Sequence, residues 1–163
     1  MKFLLWLIFT SASFAQARYD DQMQINTTLD NWHLSASKAN FKSYFDVLDR
    51  LSVFIGTDAT ENWNKTEFEK FAKPYFDKGK AWSFTALERH IYFSDDKKIA
   101  WFDELLSTQM KICRGSGVLI KTKLGWKIKQ YVLSMTIPND LVNQVTSLKS
   151  VIEDAEINRL QKQ

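Results

Sequence analysis

Apolar residues recur along this chain with two periods, and the change from one to the other falls near residue 80. Before it the spacing is three to four. Leu29, Trp32, Ala36, Ala39, Phe41, Tyr44, Phe45, Leu48 and Leu51 share one helical face and predict a helix over about 28–51. Thr27, with Asp30 three residues on, resembles its cap. Residues 52–55 form a short apolar run closed by Gly56, the mark of a strand. Residues 57–63 read as a loop carrying Asp58, Glu61 and Trp63, placed where loop residues often meet a ligand. Asn64, with Glu67 three residues later, opens a second helix whose apolar face is Phe68, Phe71, Ala72, Tyr75 and Phe76. Pro74 predicts a kink or restart in it, and Gly79 its end.

From residue 80 the period becomes two. Four strands are predicted, over 81–93, 99–108, 113–123 and 126–137, and connections this short force antiparallel neighbours. Asp140 then opens a last helix with Leu141, Val145, Leu148, Ile152 and Ala155 in steps of four and three. That stripe must be covered by its own domain or by another chain.

Turn geometry sets which residues oppose each other. A tight turn at Asp95–Asp96 places His90 across from Trp101 and Glu88 across from Asp103. The next two turns bring Ser107 near Arg114, Asp103 near Val118, and Val118 near Gln130. One face then carries Trp82, Phe84, Glu88, His90, Trp101, Asp103, Arg114, Trp126, Ile128, Gln130 and Ser134, aromatic walls with a few polar groups, as a small-molecule pocket requires. The other face carries Arg89, Phe102, Glu104, Tyr131 and Leu133 and reads as a surface partly covered by another subunit. A single β-bulge would exchange the faces of every later residue.

Composition narrows the picture. The chain has 163 residues, 45% apolar and 25% charged, enough for one domain with a core. The net charge of +3 is spread without a basic run, which argues against nucleic acid as partner. One cysteine, Cys113, excludes an intrachain disulfide and a cysteine metal site, and two histidines argue against a histidine-rich one. No metal or cofactor is expected. His33, beside Trp32 on the edge of the first stripe, reads as a surface or half-buried helix residue ahead of a catalytic one.

At the start, Lys2, the apolar run Phe3 to Phe9 and the small residues Ser13 and Ala15 have the form of an export signal, with cleavage after Ala15 or Ala17. The run is far short of the roughly 20 residues of a membrane span. The expected organisation is a signal over 1–15, a flexible start over 16–27, a domain over 28–139 and a C-terminal helix over 140–163. The product would be secreted or periplasmic, with no membrane contact after cleavage.

Helix, short strand, helix and long antiparallel meander resemble the SnoaL-like group of the nuclear transport factor 2-like superfamily. The residues carrying the resemblance are Phe54-Ile55-Gly56-Thr57-Asp58, Ala100-Trp101-Phe102, and Gly125-Trp126-Lys127-Ile128 running to Leu133-Ser134. It implies an α+β fold in which a curved antiparallel sheet wraps the N-terminal helices as a cone with a deep pocket, and here an extra C-terminal helix. It also implies dimers through the outer sheet face, and, in the family's enzymes, an Asp, His or Tyr as acid or base. Related last strands carry two histidines where this chain has Gln130 and Val132, which weakens an acid/base reading there.

Three functions follow as expectations. The first is a non-catalytic domain binding a small, partly apolar molecule, with Trp82 and Trp101 stacking, Arg114 pairing an acidic group, and Gln130 and Ser134 orienting; Asp58, Trp63 and Glu88 complete that set. The second is an isomerase, lyase or hydrolase with Asp103 as base, its pKa raised by burial, and His90 as acid or orienter. The third is a homodimeric assembly module.

Overall fold

The computed structural model describes the backbone of residues 4–162 and the side chains of residues 19–162. Helices α1 (Leu4–Ser37) and α2 (Phe41–Asp46) lead into strand β1 (Leu48–Ile55), a short β2 (Asn62–Asn64) and helix α3 (Lys65–Asp77). The meander follows as β3 (Thr85–Phe93), β4 (Ile99–Thr108), β5 (Lys111–Thr122) and β6 (Gly125–Met135). A single 3-10 turn (Asn139–Leu141) precedes helix α4 (Val142–Leu160). The six strands make one curved sheet in the order β2-β1-β6-β5-β4-β3. All neighbours are antiparallel except β1 and β6, which run parallel.

The helices pack one face of the sheet. Ile25, Leu29, Trp32 and Ala36 of α1 meet Phe102, Leu106, Leu119, Ile128 and Tyr131, all buried. A half-buried ion pair ties the middle of α1 to the sheet. Asp21 accepts from Lys121 Nζ at 2.7 Å and from Trp126 Nε1 at 3.2 Å. The segment 16–27, expected to be loose, therefore lies inside α1, and Thr27 is no helix start. The signal expected over 1–15 falls on residues 1–3 and on side chains that lie outside the described set. No described helix is long and apolar enough to cross a membrane.

The single helix expected over 28–51 is three elements. Ala39 takes a left-handed φ of 52°, and Asn40 caps α2 by accepting from Ser43 N at 3.1 Å. Leu48 and Leu51 fit a helical stripe, but both lie in β1, which pairs with β6, and that tertiary pairing overrides local spacing. The capping box of α3 is as read: Asn64 Oδ1 accepts from Glu67 N, and Glu67 Oε2 accepts from Asn64 N. The helix runs unbroken through Pro74. The strand expected from residue 81 starts only at Thr85, which leaves Trp82 and Phe84 in an irregular segment.

The register differs from the tight-turn expectation. Ser94 N donates to Ile99 O, with Lys97 at φ 54°, so the first hairpin loop is longer. His90 faces Asp103, Tyr92 faces Trp101 and Glu88 faces Leu105, with a bulge between Ala86 and Glu88. On the next pair Asp103 faces Ser116 and Ser107 faces Ile112. Both slips are of two residues, so the grouping by face on β3, β4 and β5 survives. Val118 faces Gln130 as expected, but a bulge beyond that pair turns Trp126 and Ile128 to the other face, where both are buried.

The larger correction is which face is inside. The helices cover the face of Phe102, Glu104 and Tyr131, and the face carrying Glu88, His90, Trp101, Asp103, Arg114, Gln130 and Ser134 is the open one. The physical reason is Glu104. A carboxylate marked its face as surface, yet it is 1% exposed because the fold supplies it with partners.

Candidate functional site

An aromatic cavity of about 160 Å³ opens between the helices and one end of the sheet. Phe54 of β1, Trp63 of β2, Phe68 and Phe71 of α3, Trp82 and Phe84 of the segment before β3, and Leu133 of β6 line it. The rings order one another. Phe54 stacks on Phe68 at 3.9 Å between centroids, Trp63 on Phe71 at 4.3 Å, and Phe68 on Trp82 at 6.0 Å. Thr57, Glu61, Gln109 and Met110 give the mouth its polar and flexible edge.

Gly56 shapes that edge. Its N–H donates to Glu61 O at 2.9 Å, and a Cβ there would stand 2.1 Å from Glu61 Oε2, so a larger residue would displace the acid from its place over the turn. Glu61 Oε2 accepts from Asp58 N at 3.2 Å. Asp58 itself accepts from the Thr60 hydroxyl and N–H, and these bonds hold its carboxyl below the usual range.

Beneath the cavity floor lies a buried polar network. Glu104 Oε1 accepts from Tyr131 Oη at 3.0 Å and meets His33 Nε2 at 2.9 Å. Glu104 Oε2 accepts from Arg89 Nε at 2.9 Å, while Arg89 Nη2 stands 2.8 Å away as an ion-pair contact outside hydrogen-bond alignment. Arg89 Nη1 donates to Asn26 and Asp30 on α1. Burial alone would raise the Glu104 pKa, but the His33 hydrogen bond and the charges of His33 and Arg89 outweigh it and lower the value. Tyr131 is pushed well above its ordinary range, first by burial and then by the Glu104 charge. Gly115 makes the close approach possible: a Cβ there would sit 2.2 Å from Tyr131 Oη.

His33 also reaches a second opening, a groove of about 430 Å³ with Asp30, Asn31, Ser37, Ser83 and Thr85 on its wall. Phe84 lies in both walls and stands edge-on to His33 at 5.9 Å. His33 is therefore no ordinary half-buried residue. It is 4% exposed and paired to a carboxylate.

Of the residues expected to form the site, the structure brings Trp63 and Trp82 to the cavity, with Asp58 on the turn beside it. The others stand on the open face. There His90 lies between Glu88, 3.0 Å from Nε2, and Asp103, 3.2 Å from Nδ1. Tyr92 stacks near Trp101 at 6.0 Å in the next row, and Arg114 pairs with Ser134 further along. The Asp103 side chain is 40% exposed, so the burial on which its role as base depended is missing. Sequence reading missed Phe54, Phe68, Phe71, Phe84, His33, Glu104 and Tyr131 as site residues. One signal for Glu104 was available: it stands between Phe102 and Leu106 on the apolar side of its strand.

A curved sheet closed on one side by helices, with an aromatic cavity at its end, defines the cone-shaped α+β class of nuclear transport factor 2-like domains. The chain belongs to the SnoaL-like domain family, whose sequence profile matches residues 25–138. Solved structures share the fold at low identity. A protein provisionally identified as a scytalone dehydratase, from Novosphingobium aromaticivorans, superposes with a TM-score of 0.65 at 9% identity, over 76% of this chain and 89% of that one. A provisionally identified dehydratase of the nuclear transport factor 2-like family, from Streptomyces avermitilis, gives 0.63 at 10%, over 74% and 99%. A nuclear transport factor 2-like protein of unknown function from Pseudomonas putida gives 0.61 at 8%, over 72% and 87%. No curated protein matches the chain in sequence.

Proposed function

We propose that this is an exported, non-catalytic binding domain whose aromatic cavity takes a small, largely apolar molecule. The observation that carries the reading is the cavity wall. Seven apolar side chains enclose about 160 Å³, with Thr57, Glu61 and Gln109 at the mouth to orient one polar group. An apolar cavity of about 150 Å³ accommodates benzene, so the volume fits one aromatic ring with a small substituent. Stacked rings on the wall favour a planar guest. The open-face residues, Arg114 and Gln130 among them, have no part in this cavity.

Titration with phenol and with indole, followed by calorimetry and tryptophan fluorescence, tests the reading. Binding should be saturable, and Met110→Phe, which narrows the mouth, should weaken it at least tenfold at unchanged thermal stability. If neither probe binds, or Met110→Phe leaves both affinities intact, the cavity is not the site. For export, the N-terminus of protein recovered outside the cytoplasm should be Gln16 or Arg18, and an intact Met1 there would contradict the leader.

A second reading rests on the His33–Glu104 pair. An imidazole on a groove wall, held from behind by a carboxylate, has the arrangement of an oriented acid or base. In that case the protein would speed deuterium exchange at the α-carbon of a simple cyclic ketone, and His33→Gln would abolish the effect. Exchange equal in both proteins removes this reading.

A further inference from the structure

Two openings share one ring. Phe84 lies in the wall of the aromatic cavity and in the wall of the groove between α1 and the start of β3. It stands on the irregular stretch before Thr85, ahead of the strand ladder, half-buried and edge-on to His33 at 5.9 Å. The spaces on its two sides differ in chemistry. On the cavity side ring meets ring. On the other side the groove, about 430 Å³, presents Asn31, Ser83 and Thr85 together with Asp30 and His33. His33 directs Nε2 at the Glu104 carboxylate, and no other described residue hydrogen-bonds the imidazole. The neutral ring then keeps Nδ1 as an acceptor. Asp30 is the groove's one carboxylate, and no lysine or arginine lines it. Arg89, which pairs with Asp30 at 2.9 Å, has a side chain only 6% exposed, so it offers no cation to a guest.

We infer that cavity and groove are two halves of one site, and that its ligand is an aromatic glycoside: a ring held in the cavity and joined, past Phe84, to a neutral, hydroxyl-rich arm in the groove. The inference rests on the cavity reading and adds the arm. Placement supports it first. The two spaces meet at one side chain, so a short ether link connects guests on either side of it. Chemistry supports it next. Phe84 gives the groove an apolar patch for the C–H face of a sugar ring, and Asn31, Ser83, Thr85 and His33 Nδ1 supply donors and acceptors for its hydroxyls. Charge then excludes the ionic alternatives. A carboxylate or phosphate arm would meet Asp30 with no cation in reach, and an ammonium arm would compete with Arg89 for that same carboxylate.

Calorimetry on the intact protein with phenol, phenyl β-D-glucoside and phenyl β-D-glucuronide tests the inference. The glucoside should displace phenol and bind about tenfold tighter, as two net hydrogen bonds supply. The glucuronide, which differs by a carboxylate on the sugar, should bind roughly tenfold more weakly than the glucoside. Asn31→Leu with Ser83→Ala should bring the glucoside back to the affinity of phenol. Phenol binding and the thermal midpoint should not move, because both side chains are exposed. Three results overturn the two-part site and leave the cavity reading standing: phenol binds and the glucoside binds no tighter, the gain survives the double variant, or the glucuronide equals the glucoside. If neither phenol nor the glucoside binds, the cavity reading itself falls and the inference falls with it.

Discussion

Glu104 has no exposed side-chain surface, and its charge is compatible with the core only because His33, Tyr131 and Arg89 converge on it. Removing the charge leaves the buried Arg89 guanidinium with only the exposed Asp30 carboxylate as counter-charge. Glu104→Gln is expected to cost about 3 kcal/mol in urea unfolding at neutral pH. Acid should have the same effect on the natural protein. The folded pKa of Glu104 is lowered, so its contribution is full above the ordinary carboxylate range and is lost as pH falls through the depressed value. The urea midpoint should therefore drop more steeply from pH 6 to pH 3 in the natural protein than in Glu104→Gln. Equal slopes would show that the network does not couple to protonation. Gly115 allows the approach behind the network, where a methyl group would meet Tyr131 Oη at 2.2 Å. Gly115→Ala should destabilise by about 2 kcal/mol, and Tyr131→Phe in the same chain should recover part of it, since the clashing hydroxyl is gone. Nothing around Gly115 in the sequence announces this, because Glu104 and Tyr131 lie on other strands.

Elements whose signals are local were legible. Helix α3 begins at the capping box that Asn64 and Glu67 spell out, and β4 begins and ends at the residues expected. Asn64→Ala should therefore cost about 1 kcal/mol in thermal unfolding, and no loss at all would mean that the box is incidental. Elements that depend on distant pairing were not legible. Residues 38–40 carry no glycine or proline to mark the break between α1 and α2, yet Ala39 sits at φ 52°. Ala39→Gly should relieve the left-handed strain and stabilise the protein by about 1 kcal/mol, whereas destabilisation would argue against the break. Strand β1 hides in a helical spacing because its partner, β6, lies more than seventy residues away.

For the molecule as a whole, a ligand held by the cavity and not by the unfolded chain must raise stability. Phenol at a hundredfold excess over its dissociation constant should add about 2.7 kcal/mol and raise the thermal midpoint accordingly, and an unchanged midpoint would contradict binding to the folded state. By itself the sequence determined the fold class, the four-stranded meander, the second helix and the sorting of β3, β4 and β5 residues by face, because these follow from period and turn chemistry between near neighbours. It also put Trp63, on the 57–63 turn, and Trp82 among the pocket candidates, and both rings lie in the cavity wall. Only the tertiary structure decided which face is the interior. Both faces mix rings with charges, and the choice depends on whether Arg89 and Glu104 find partners from α1 and β6, over sequence separations that periodicity cannot reach. The same dependence moved the candidate chemistry from Asp103 and His90 on the open face to Glu104 and His33 beneath the aromatic cavity.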